Sequence, residues 1–232
     1  MGHSPPSPEP AHSPEASAAK GRPDDPTPDA RPLAAVILLT ALAHDADAGA
    51  RRSRPLETGQ TTCWDNVGTV LACAGLQDGA RRRGEPRSYR DDGETIRDLR
   101  TALTWEKLSD DGSIHDQDNT YTWGLAFGKI EDLNIECFAG FCDWRLPNLF
   151  ELQTLLNLEN ANPAVSAPFH TDCSSGCSLP ACSCTRNLDY WSSTTLKDDP
   201  ALAWVVDFQV GFHSAASKPG SYAVRAVRGG AN

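Results

Sequence analysis

The stretch Asp110-Asp111-Gly112-Ser113-Ile114-His115-Asp116-Gln117-Asp118-Asn119 is the first that could do chemistry. Asp110, Asp111, Asp116, Asp118 and Asn119 offer hard oxygens in a short span, and Ca²⁺ takes about six to eight such ligands. The EF-hand pattern is not met, because the sixth position counted from Asp116 is Tyr121 where a glycine is needed. The competing reading is a solvated loop of Asx turns leading into a helix. Cysteines are the second set. All eight lie between Cys63 and Cys184. Cys173, Cys177, Cys182 and Cys184 could surround zinc as four thiolates, but an even count read with an export signal favours disulfides. Cys63 and Cys73 would close a small hairpin around Asn66-Val67-Gly68, and Cys137 and Cys142 a short loop around Phe138-Ala-Gly-Phe141. A bond from Cys182 to Cys184 across one residue is strained, so Cys173 and Cys177 pair with those two in either order.

Arginines and tryptophans form the third set. Arg145, Arg225 and Arg228 could grip a carboxylate or sulfate, or pair with Asp143, Glu151 or Asp207 as structural ion pairs. Trp144, Trp191 and Trp204 could stack on sugar rings, but they fall in core-like alternation. Ser192-Ser193 lacks the G-x-S-x-G elbow of a hydrolase. No phosphate loop or dinucleotide fingerprint occurs, so the sequence gives an enzyme no support.

Elements able to position these groups follow from periodicity. Trp123, Ala126, Phe127, Ile130 and Leu133 form one stripe of a helix, with Thr120 or Thr122 as its cap. Asn148-Leu-Phe-Glu151 has the form of a capping box and opens a second helix, whose Leu149, Leu152 and Leu156 share a face. Trp204, Val206 and Phe208 alternate with Val205 and Asp207 as in a strand, Val210-Gly211 marks a turn, and Tyr222–Arg228 alternates again. Helices first and antiparallel strands later make an α+β pattern.

Asp143, Trp144, Arg145, Leu146, Pro147 and Asn148, followed by Glu151, make the sequence similar to the Lcl C-terminal domain family, named for a bacterial collagen-like adhesin. Thr101-Ala-Leu-Thr-Trp-Glu106 resembles that family's opening strand, and Asn119-Thr-Tyr-Thr-Trp123 its helix start. Tyr190-Trp-Ser-Ser-Thr194 resembles its middle strand. Val224-Arg-Ala-Val-Arg-Gly-Gly230, which contains Arg225 and Arg228, resembles its closing strand. The likeness runs from about Tyr89 to Gly230, with one departure at Asp92-Gly93-Glu94-Thr95, where members carry a fuller D-G-D-G-T turn. It implies a C-type-lectin-like domain with two helices and a mostly antiparallel, twisted sheet, distantly similar to the formylglycine-generating and sulfatase-modifying group. The redox cysteines of that group have no counterpart here. The namesake implies adhesion to host glycans.

Composition changes along the chain. Residues 1–30 are a Pro-, Ser- and Ala-rich extension that cannot bury a core, and read as disordered. Leu33-Ala-Ala-Val-Ile-Leu-Leu-Thr-Ala-Leu-Ala43 is an apolar run of eleven residues behind Arg31, which suits a signal peptide over 31–48. Two A-x-A cleavage sites follow, at Ala41-Leu42-Ala43 and Ala46-Asp47-Ala48. The extension upstream is explained by a start codon assigned too early. Residues 49–88 read as a linker carrying the Cys63–Cys73 hairpin, and 89–230 as the folded domain. Net charge is −10, and −6 beyond residue 48, which disfavours a nucleic-acid partner. The basic run Arg81-Arg82-Arg83 has no interleaved aromatics and reads as a solvated turn.

The expected function is therefore a secreted or cell-surface binding module for carbohydrate or another extracellular ligand, with calcium as an optional cofactor and no transmembrane segment in the mature chain. Its ligand would sit on loops between the Cys173–Cys184 insertion and the Val210–Gly220 hairpin. The acidic balance disfavours sulfated glycans unless basic side chains cluster on one face. A structural interaction module of the cell envelope is the alternative, and a sulfatase-modifying-like enzyme the third reading.

Overall fold

A computed structural model of the chain describes residues 54–230, so the Pro-rich extension and the signal segment lie outside the described residues. The elements are β1 (Cys63–Trp64), β2 (Val70–Leu71), α1 (Asp78–Arg81), β3 (Tyr89–Asp91), β4 (Thr95–Asp98), β5 (Leu103–Glu106) and β6 (Thr120–Tyr121). There follow α2 (Trp123–Ile135), α3 (Leu149–Gln153), β7 (Asp189–Thr195), β8 (Leu202–Asp207), β9 (Phe212–Ser217), β10 (Tyr222–Ala223) and β11 (Val227–Gly229). The domain is α+β, as expected.

Instead of one sheet there are three: a β1–β2 hairpin, a five-stranded sheet in the order β6-β10-β7-β8-β9, and a four-stranded sheet in the order β11-β5-β4-β3. All pairings within the sheets are antiparallel except β10 with β7. The five-stranded sheet is covered on both faces because alternate side chains serve two cores. Tyr190, Val206 and Phe208 pack with Ile96, Trp105 and Val227 of the four-stranded sheet and with Leu149 and Leu152 of α3. Trp191, Ala203 and Val205 pack with Ala126, Ile130 and Leu133 of α2, and with Trp144 and Leu146.

The two expected helices form with their expected caps. Thr122 Oγ1 accepts from Leu125 N at the start of α2, and Asn148 and Glu151 complete the reciprocal capping box of α3. The alternation over Tyr222–Arg228 is not one strand. β10 belongs to the five-stranded sheet and β11 to the four-stranded one, and Val224, Arg225 and Ala226 pass between them fully enclosed. Arg225 sets this crossing, since its guanidinium donates to the carbonyls of Glu106 and Cys184 and to Thr185 Oγ1.

The stretch expected as a linker over 49–88 is described from residue 54, and from there it is laced onto the domain. Leu56 bridges to Glu85, Arg87 donates to the carbonyls of Glu57 and Thr154, and Leu158 N donates to Thr58 O. Glu159 receives Thr61 N at 2.6 Å and Thr62 N at 3.0 Å, and these bonds hold its pKa down at about 2. Gly84, at φ 137°, lets the two runs touch, because a Cβ there would sit 2.6 Å from Glu57 N.

Candidate functional site

The four-stranded sheet has one face in the core, while its other face is exposed at Arg97, half-buried at Arg228, and buried at Thr95, Thr104 and Glu106. Leu103, Trp105, Ile96 and Val227 point inward, so Arg97, Thr104 and Arg228 alternate outward. Register places these three and Arg90 of β3 in one row across the strands. Arg90 is opposite Arg97, Arg97 opposite Thr104, and Thr104 opposite Arg228. Successive members are separated by one strand spacing, about 4.8 Å at the backbone.

This row lines a groove of about 600 Å³, together with Asp92, Glu94, Ala139 and Phe141. The flanking arginines have acidic partners. Arg90 is held by Asp92 at 2.6 and 3.0 Å, and Arg228 by Asp143 at 2.6 and 3.2 Å. Among the described residues no carboxylate reaches ion-pair distance of Arg97. Like charges directly opposite on neighbouring strands repel, and Asp92, whose carboxyl both Arg90 and Arg97 hold below the ordinary range, offsets that repulsion between Arg90 and Arg97. Phe141 stacks on Arg228, with the guanidinium carbon 3.8 Å from the ring centre.

The expected arginine pairs are met at two of three positions. Arg145 makes a bidentate pair with Glu151 at 2.7 and 2.6 Å, which ties the capping box to Gly229 O on β11. Arg228 takes Asp143. Among the described residues Arg225 pairs with no carboxylate; it is buried and spends its donors on carbonyls and Thr185. Trp144 and Trp191 are core residues, each donating its indole N–H to a carbonyl, while Trp204 is half-buried against His213. Arg81, Arg82 and Arg83 are exposed around the end of α1, and Arg82 lies 3.5 Å from Glu57.

The acidic loop is organised by its own backbone. Asp116 accepts Gly112 N at 2.5 Å and Asp118 N at 2.7 Å, and Asp111 accepts Ser113 N at 3.0 Å. Asn119 donates to Ser113 O, and Asp118 pairs with Arg186 at 3.2 Å. Asp110, Asp116 and Asp118 do bring one oxygen each within 4.8 Å of the others. The turns give Asp111 and Asp116 hydrogen-bond partners within the loop itself.

The disulfides pair Cys63 with Cys73, Cys137 with Cys142, Cys173 with Cys184 and Cys177 with Cys182. The proximity of Cys173, Cys177 and Cys184 is thus that of two adjacent bridges. The Cys173–Cys184 segment packs on Leu108–Asp110 through Gly176 N to Asp110 O, Asp110 N to Cys177 O and Cys184 N to Leu108 O. The strand after Val210-Gly211 is the far edge of the five-stranded sheet, where His213 meets Gln153 of α3.

One cluster was not foreseen. Glu106, on the same side of β5 as Thr104, is wholly buried and accepts from Lys129 Nζ at 2.9 Å, His115 Nδ1 at 2.8 Å and Ala226 N at 2.8 Å. Burial pushes its pKa up, but the Lys129 ammonium, the His115 bond and the Ala226 N–H outweigh that and hold it at about 2. Lys129 also donates to Val224 O. A signal existed, because Lys129 falls three residues after Ala126, inside the buried stripe of α2. With no exposed surface Glu106 meets no solute; it joins β5, α2, the acidic loop and the crossing chain at one point.

The Lcl C-terminal domain family model matches residues 94–228, more than half of the 232-residue chain. The chain belongs to the Lcl C-terminal domain family. The match begins at the β3–β4 turn and ends at Arg228, so it includes the capping box, the Asp143–Arg228 pair and the Glu106 cluster, while Arg90 and Asp92 lie just before it. Membership in this family identifies the domain and leaves its ligand open. No curated protein matches the chain.

Proposed function

We propose that the chain is an exported binding module that holds an acidic carbohydrate in the groove over the four-stranded sheet. The observation that carries this reading is the row Arg90, Arg97, Thr104 and Arg228, with Arg97 lacking an acidic partner among the described residues. Within an overall charge of −10, Arg90, Arg97 and Arg228 gather in one groove beside Asp92 and Glu94, and a sulfated or carboxylated glycan would be taken there by Arg97 and the free side of Arg228. Guanidinium groups bind such anions through charge-assisted hydrogen bonds. Four disulfides fit an oxidising compartment, and no helix among the described residues is long and apolar enough to cross a membrane.

A glycan-array screen of the oxidised chain, with and without calcium, tests this reading. Binding confined to acidic glycans and weakened by added salt is expected; binding to neutral glycans alone contradicts it. Binding that requires calcium would transfer attention to the Asp110–Asn119 loop.

A second reading, an interaction module of the cell envelope, is favoured by one feature. A surface groove lined by Pro55, Leu56, Phe150, Leu156 and Leu158 leaves Phe150 78% exposed, and exposed apolar patches mark association surfaces. It predicts self-association in light scattering that Phe150→Glu abolishes.

A further inference from the structure

The wall of the groove next to Arg228 is the six-residue loop from Cys137 to Cys142, closed by the disulfide between them. Its backbone is forced. Cys137 at φ 49° and Ala139 at φ 52° are left-handed without being glycine, and Gly140 follows at φ 81°. Such conformations persist where surrounding structure over-determines them, and they concentrate at ligand sites. Their product here is a division of two phenylalanines. Phe138 turns inward, against His115 and Trp144. Phe141 turns out to line the groove at 36% exposure.

Phe141 and Asp143 fix Arg228 from two directions. The ring covers one face of the guanidinium at 3.8 Å. Asp143 takes Nε and Nη2 in the plane, which leaves Nη1 without a hydrogen bond among the described residues. The groove therefore offers a guanidinium held in place beside an exposed aromatic edge.

We infer that the Cys137–Cys142 loop is the selectivity element of the groove, and that Phe141 makes it prefer acidic saccharides to compact polyanions of equal charge. The inference rests on the binding reading above. A pyranose has an apolar C–H face that can pack against the exposed edge of the ring, whose face Arg228 covers, while its acid group meets Arg228 and Arg97. A polyphosphate supplies the same charge and no such face.

The test compares dextran sulfate with inorganic polyphosphate, at matched charge and ionic strength, on the oxidised full chain. Phe141→Ala is expected to weaken dextran sulfate binding about tenfold and polyphosphate binding less than about twofold. Phe141→Trp is expected to keep the wild-type preference, and it remains informative should the alanine variant fail to fold. Equal weakening of both probes by Phe141→Ala, or no weakening of either, overturns the inference while the groove stands. Unchanged binding of both probes by Arg97→Glu/Arg228→Glu overturns the groove and the inference together.

Discussion

Glu106 and Arg97 are opposite uses of charge within one sheet. Glu106 is enclosed with Lys129, and removing one partner of such a pair strands the other. Glu106→Gln or Lys129→Met should each cost about 3–5 kcal/mol in chemical denaturation. The double variant should cost clearly less than their sum; simple additivity would mean the pair does not interact. The pH dependence has a definite sign. The Glu106 carboxyl is depressed in the fold, so its stabilisation is complete above its ordinary value near 4.5 and is lost as pH falls toward about 2. Denaturant midpoints measured through that window should fall in the wild type and fall less steeply in Glu106→Gln. Among the described residues Arg97 faces Arg90 with no carboxylate at ion-pair distance, so Arg97→Thr should leave the melting temperature nearly unchanged while anion binding is lost. The Arg145–Glu151 pair, the capping box and the core tryptophans Trp144 and Trp191 were legible in the sequence because each depends on near neighbours or on alternation. Glu106 and Arg97 were not, since their meaning depends on register between strands and on what α2 lays over them.

At the level of elements, the expected helices, caps and strand phases formed, and the differences arise where contacts bridge long stretches of sequence. Tyr222–Arg228 alternates well enough to read as one strand, yet carbonyls of Glu106 and Cys184, far back in the chain, draw Arg225 inward and divide it between two sheets. Residues 54–88 read as a linker because their composition is polar; Glu159 gathers Thr61 and Thr62 from almost a hundred positions away, a distance no local pattern spans. Glu159→Ala should speed amide exchange at Thr61 and Thr62 and expose the segment to limited proteolysis, with the four-stranded sheet still protected. In the wild type the same loosening should appear as pH falls from the ordinary glutamate value toward about 2, since the depressed Glu159 carboxyl loses its bonds on protonation. Exchange at Thr61 and Thr62 unaltered by the variant and by pH would mean other contacts hold the segment.

On the scale of the whole molecule, two packed sheets and four disulfides make a support that carries arginines on the outer side of the four-stranded sheet. The basic residues that sequence composition made conspicuous, Arg81, Arg82 and Arg83, are consecutive in the chain and turn about the end of a one-turn helix. Arg90, Arg97 and Arg228 are scattered along the chain and meet only because β3, β4, β5 and β11 lie side by side. That contrast supplies its own control. The most direct measurement is the binding of the oxidised chain to an acidic glycan, followed by fluorescence anisotropy for wild type, Arg97→Glu/Arg228→Glu and Arg82→Glu/Arg83→Glu, at one low ionic strength. Both double variants change net charge equally, so any difference reports position. Loss of binding in the groove variant with binding largely kept in the other is the predicted result. Equal losses in both, or a greater loss from Arg82→Glu/Arg83→Glu, would contradict the groove as the site.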